Sequence, residues 1–195
     1  MVSNELKNIF LSASIPLIDR DARYFDTADV ISIRDAVIAL TTTLTPHYRI
    51  IWGGHPSITP LINYVMQKIG KTVQEHFILY QSNFFSDFFP EDNNQFDNVI
   101  TIEKLTDRDK SLQLMRKEML SNNFVAGVFI GGMEGVEIEY EMFKKLHPAA
   151  ILLPIASTGA AAKIIFENIK SKDVDLISNY AYMSLFHEKI IDKLQ

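Results

Sequence analysis

Apolar runs and amphipathic stretches alternate along the chain. Asn8-Ile9-Phe10-Leu11-Ser12-Ala13-Ser14 reads as a first strand. It ends at Pro16 in a polar loop through Asp29 that holds Arg20, Asp21, Arg23 and Asp26. Over Ala28 to Leu44 the apolar positions Val30, Ile33, Ala36, Val37 and Leu40 recur at helical spacing. Tyr48 to Trp52 is a second strand, closed by Gly53-Gly54-His55-Pro56. A helix from about Ile58 to Ile69 follows, with Ser57 as its expected N-cap and Pro60 early enough that its missing N–H costs little. His76 to Tyr80 and Asn98 to Ile102 read as the third and fourth strands. Between them, the Phe-, Asp- and Asn-rich stretch Asn83 to Asp97 reads as an ordered loop or short helical turns. Asp107 or Asp109 caps a helix running to Leu120. Phe124 to Ile130 is a fifth strand, followed by a glycine turn and a helix to about Leu146. Ala150 to Pro154 is the sixth strand, Ala160 to Ile169 an Ala-rich helix, and Asn179 to Leu194 an aromatic-rich closing helix.

Near-continuous apolar strands alternating with helices predict an α/β, three-layer, Rossmann-like fold: a mainly parallel sheet with helices on both faces. A length of 195 residues suits a single domain over 1–195, without internal repeat or linker. Apolar residues make up 47% and charged residues 22%, enough for a sizeable core. The net charge of −5 argues against broad nucleic-acid binding. With no cysteine, disulfides, thiolate nucleophiles and Cys-based metal sites are excluded. Met1 to Asn8 lacks the apolar core of a secretory signal, and no window approaches the roughly 18–20 apolar residues of a membrane helix. A cytoplasmic protein that meets no membrane is therefore expected.

Three strand ends carry small-residue turns: Ser12 to Ser14, Gly53 to Ser57 and Gly131 to Gly135. In doubly wound sheets, ligands collect at the carboxyl ends of strands, so these turns are expected to share one site. At Gly131-Gly132-Met133-Glu134-Gly135 an apolar strand breaks into a helix start, where backbone N–H groups and the helix dipole suit an anion. Glu139 lies about one turn into that helix. In a hydrolase it would act as general base or stabilise an oxocarbenium-like transition state; in a binding protein it would accept ribose hydroxyls. Arg34 is the candidate to bind phosphate or pair with Glu139. The expected ligand set is Ser12, Ser14, Arg20, Gly53, Gly54, His55, Gly131, Gly132, Met133, Glu134, Gly135, Glu139, Ser157 and Thr158.

Plainer roles compete for several of these residues. Glu134 and Glu137 also suit a helix N-terminus, and Ser157 and Thr158 can simply start a helix. Phe84, Phe85, Phe88 and Phe89 offer a stacking box, although core or interface packing is the favoured reading. His47, His76, His147 and His187 stand singly, so no metal is expected, and there is no Gly-x-Ser-x-Gly elbow.

The three turns resemble the SLOG superfamily, the Rossmann-like domains related to DprA and the Lonely Guy phosphoribohydrolases. Gly131-Gly132 matches the first glycines of the Lonely Guy pattern Pro-Gly-Gly-x-Gly-Thr-x-x-Glu, and Gly135-Val136-Glu137-Ile138-Glu139 its second half. Ile130 replaces the proline, Val136 the threonine, and Met133-Glu134 stand where the pattern has one residue. Phe10 to Ser14, Ile33 to Val37, Trp52 to Pro60, Leu146-His147-Pro148 and Leu153 to Gly159 extend the likeness to a bacterial subgroup in nucleotide-linked conflict systems. The resemblance implies a nucleotide-like ligand without fixing a reaction: a nucleotide, an NAD-derived molecule or a cyclic ADP-ribose-type signal, sensed in antiphage defence. The alternative it implies is a nucleotide N-glycosidase using Glu139, with Arg34 assisting. It also implies a homo-oligomer. No cofactor is expected. A single domain with no obvious effector attached would need self-association or a separate effector protein for output, and Tyr180, Tyr182, Met183 and Phe186 of the aromatic closing helix offer an interface for it.

Overall fold

A computed structural model of the chain describes residues 6–194. Six strands form one sheet: β1 (Asn8–Ser14), β2 (Arg49–Gly53), β3 (Phe77–Ser82), β4 (Val99–Ile102), β5 (Phe124–Gly131) and β6 (Ile151–Ile155). Their order is β4-β3-β2-β1-β5-β6, and every neighbouring pair is parallel. The helices are α1 (Ala22–Phe25), α2 (Val30–Leu44), α3 (Thr59–Ile69), α4 (Arg108–Met119), α5 (Glu134–Leu146), α6 (Ala160–Asn168), α7 (Asp175–Ser178), α8 (Tyr182–Phe186) and α9 (Asp192–Leu194). This is the expected three-layer α/β architecture.

Side chains on a strand alternate between faces, so each central strand feeds two cores. Ile9 and Leu11 of β1 join Ile50, Trp52, Val128 and Ile130 on one face, under α2, α3 and the C-terminal helix. Phe10 points the other way and meets Phe129, Tyr140 and Phe143, the second core, which also takes Met115 and Met119 of α4 and Ile165 of α6. The chain thus winds β1–α2–β2–α3–β3 on one face and β4–α4–β5–α5–β6 on the other. Strand order reverses between β1 and β5, and a crevice opens there, at the carboxyl ends of the strands.

Several local expectations change. Asp21 accepts the Arg23 amide and nucleates α1 inside the segment expected to be loop. Ser57 does not cap α3: its hydroxyl accepts the Ile15 amide at 3.3 Å and lies 2.8 Å from His55 Nδ1. β6 runs one residue past Pro154 because it is an edge strand, where a missing N–H facing outward is tolerated. The closing helix begins at Tyr182 rather than Asn179, since Asn179 Oδ1 accepts the Ala181 amide at 2.8 Å and holds a turn. It contains a π turn over His187–Ile191. Lys189 in that turn is nearly buried, and its ammonium donates to Asp173 at 2.9 Å and Asp175 at 2.7 Å. Burial opposes its charge, but the hydrogen bonds and charges of the two aspartates outweigh burial and hold its pKa above the usual lysine range. Among the described residues, no helix is long and apolar enough to cross a membrane.

Candidate functional site

A cleft of about 280 Å³ lies over the carboxyl ends of β1, β2 and β3. Its floor is Leu11 to Ser14, Gly53, Gly54, Gln81 and Ser82. One wall is the start of α5 with the inner face of α4; the opposite wall is Phe85, Phe88, Phe89 and Pro90 from the β3–β4 connection. Parallel pairing sets Ser12 beside Phe129 and Ser14 beside Gly131, which levels the ends of β1 and β5. Ser12 lies two residues after Phe10 and so faces the α5 side.

There the Ser12 hydroxyl donates to Glu139 Oε2 at 2.5 Å. The other carboxylate oxygen, Oε1, accepts from Arg116 Nε at 3.0 Å. Both members of this ion pair are nearly buried, with side chains 12% (Arg116) and 15% (Glu139) exposed. Gly135 makes the approach possible, because a Cβ there would lie 3.1 Å from Arg116 Nη2. The guanidinium therefore reaches the amino end of α5. Among the described residues, the amides of Met133, Glu134 and Gly135 at this end meet no backbone acceptor. Arg20 pairs with Glu134 at the rim, and Arg108 lines the same wall while pairing with Asp109 at 3.2 Å. Glu137 instead accepts from the Tyr24 hydroxyl, with Arg23 3.5 Å away, so it ties the segment after β1 to α5. Burial, then the hydrogen bond to Glu137, pushes the Tyr24 phenol well above its usual range.

His55 stands at the β2 end of the cleft. Its Nδ1 accepts the Ser57 amide at 3.2 Å, which leaves the proton on Nε2. Burial lowers its pKa and keeps the imidazole neutral.

Of the expected ligand residues, Ser12, Ser14, Arg20, Gly53, Gly54, His55, Met133, Glu134, Gly135 and Glu139 line the cleft. Gly131 and Gly132 do not: they form the turn behind it. Gly131 has φ +54° and Gly132 φ +85°, and their amides are already spent on Thr158 Oγ1 at 2.9 Å and the Ser14 carbonyl at 2.8 Å. The free donors begin one residue later than the glycine pattern suggests. Thr158 is buried and braces that turn, while Ser157 Oγ lies 3.1 Å from the Tyr182 hydroxyl, so neither opens to the cleft. Arg34 is placed on α2 and pairs with Asp35 at 2.8 Å, away from Glu139. Arg116 holds the place the sequence reading gave to Arg34. Phe85, Phe88 and Phe89 stand as a wall of the cleft rather than as core, with Phe88 74% exposed.

Sequence reasoning missed Arg116, Arg108 and Gln81. The arginines carry a signal: Arg108, Leu112, Met115, Arg116 and Met119 share one face of α4. Two arginines on an otherwise apolar stripe mark cations facing inward. Among the described residues, no group of three or more His, Cys, Asp or Glu side chains is placed to hold a metal ion.

A model of the SLOG cluster3 family matches residues 23–190. The chain belongs to this SLOG family. The match takes in every strand except β1 and runs from before α2 into the π turn, so the Gly131 turn, Arg116, Glu139 and the aromatic wall all fall inside the SLOG region. No curated protein matches the chain.

Proposed function

We propose that this SLOG protein binds a nucleotide-derived small molecule in the cleft and acts as a sensor rather than a hydrolase. The observation that carries this reading is the state of Glu139. Both of its oxygens already accept hydrogen bonds, from Ser12 and Arg116, in a nearly buried pair. Each oxygen keeps a second lone pair, so Glu139, fixed in orientation by Ser12 and Arg116, still accepts from a ligand hydroxyl. Sensing is favoured over hydrolysis because Val136 and the additional residue at Met133-Glu134 depart from the Lonely Guy pattern. As a fixed acceptor in the α5 wall of the cleft, Glu139 suits ribose hydroxyls. The open amides at the start of α5, with Arg116, Arg20 and Arg108 nearby, suit phosphate. The Phe85, Phe88 and Phe89 wall suits a base.

The ligand class extends to NAD-derived and cyclic ADP-ribose-type signals, in keeping with a role in antiphage defence. Output is assigned to self-association or to a separate effector protein. Support comes from the groove between α2 and the start of the closing helix, lined by Ile38, Ala39, Tyr180 and Met183, with Tyr180 59% and Met183 54% exposed. Tyr182 and Phe186, expected in such an interface, are instead buried in the core.

Calorimetry against nucleoside mono-, di- and triphosphates, NAD and cyclic ADP-ribose isomers tests the binding. Chromatography of the same mixtures tests for turnover. Heat with intact ligand is the expected result. Free base released by the wild type and lost in Glu139→Gln would establish the glycosidase instead.

A further inference from the structure

Gln81, next to last in β3, lies on the floor of the cleft, is 4% exposed, and its Nε2 has no hydrogen-bond partner among the described residues. Buried amides left without a partner are uncommon, because the lost hydration is not replaced. The carboxamide is also given room on purpose. A Cβ on Gly54 would fall 1.9 Å from Gln81 Nε2, so the glycine turn after β2 exists in part to admit this side chain. Beside it stands an aromatic wall that the core does not use, with Phe88 74% exposed. Gln81 and the start of α5 lie at opposite ends of the cleft. They follow β3 and β5, which are separated by β2 and β1, so about 14 Å divides them at the usual strand spacing.

We propose that Gln81 is the specificity-determining residue of this cleft and that it reads an adenine base. This rests on the nucleotide-binding reading above. A carboxamide offers one donor and one acceptor side by side, which matches the adjacent N7 acceptor and N6 donor of adenine. Guanine presents two acceptors, O6 and N7, on the same edge and leaves the Gln81 carbonyl facing a lone pair. The base stacks on the Phe85 and Phe88 side while the phosphate end reaches Arg116 and the open amides of α5. The separation of the two ends favours a nucleotide with two linked phosphates over a monophosphate.

Calorimetric titration of the full chain with ADP, AMP and GDP tests this. The wild type is expected to bind ADP about tenfold more tightly than GDP, the ratio a bidentate base contact supplies. Gln81→Glu, which can only accept, loses the donor to adenine N7 and should lower the ADP:GDP ratio by about tenfold. Gln81→Leu should bring the ratio close to one, and it guards against a Glu variant that fails to fold. Equal wild-type affinities for ADP and GDP, or variants that keep the wild-type ratio, would overturn the assignment while leaving nucleotide binding intact. Tighter binding of AMP than ADP would overturn the extended pose. Absence of binding by every nucleotide in the panel would remove the parent reading as well.

Discussion

Removing either member of the Arg116–Glu139 pair should destabilise the fold, and removing both should cost little more than removing one. Breaking a fully buried ion pair from one side costs about 3–5 kcal/mol, because the remaining charge stays desolvated. Here the side chains keep 12% and 15% of their surface in contact with the cleft, so water relieves part of that penalty. About 2 kcal/mol for Arg116→Met, and a similar loss for Glu139→Gln, is the expected scale. In a chain of 195 residues that lowers Tm by about 4–8 °C. The double variant leaves neither charge stranded, so the coupling energy should be about 1–2 kcal/mol. Urea denaturation reads this directly through the fluorescence of Trp52, the single tryptophan, which is buried in the sheet. Losses that simply add in the double variant, with coupling below about 0.5 kcal/mol, would mean that the two side chains do not depend on one another. The argument for Glu139 as a fixed acceptor would then fail.

Other perturbations probe the frame around the cleft. Gly132→Ala places a Cβ at φ +85° and 2.2 Å from Val136 Cγ2, so a loss of about 2–4 kcal/mol is expected by thermal denaturation. A change within the error of the measurement would show that the turn adapts. Lys189→Met removes two hydrogen bonds to Asp173 and Asp175, which water can solvate in its place, and should cost about 1 kcal/mol by urea unfolding. An unchanged urea midpoint would assign the closing helix's stability to its apolar face alone. His55 carries a depressed pKa, so below about pH 6.5 the unfolded chain takes up a proton that the folded imidazole refuses. Its contribution is present above that pH and is lost as pH falls through its folded value. Stability relative to His55→Gln should therefore drop between pH 7 and pH 5, and an imidazole titration by NMR at or above the ordinary value would contradict this.

The frame of the cleft was legible because it rests on period and punctuation. Apolar strands interrupted by glycine or serine turns have few packings other than a parallel sheet with those turns at one edge. The carboxylate was legible too, since Glu139 stands one helical turn from Gly135. Its partner was not. Arg34 and Arg116 are equally plausible in a linear reading, and the choice depends on which helix faces the crevice. α2 packs on the Trp52 face of the sheet and α4 on the Phe129 face, beside α5. The glycine pair misled for a local reason: positive φ at Gly131 and Gly132 turns their amides back to Thr158 and Ser14, leaving the open donors at the residues that follow. Gln81 carries no motif at all. It is exposed as a candidate by an unmet hydrogen bond and by the close packing of its carboxamide on Gly54, neither of which a sequence displays.

The central claim, that this cleft is a nucleotide site, is tested most directly by amide chemical-shift mapping with the tightest ligand of the nucleotide panel. The account predicts shifts at Ser12, Ser14, Gly54, Gln81, Phe85 and residues 133–135, with little change along the groove between α2 and α8. Shifts centred on that groove, or no shifts at saturating nucleotide, would contradict it.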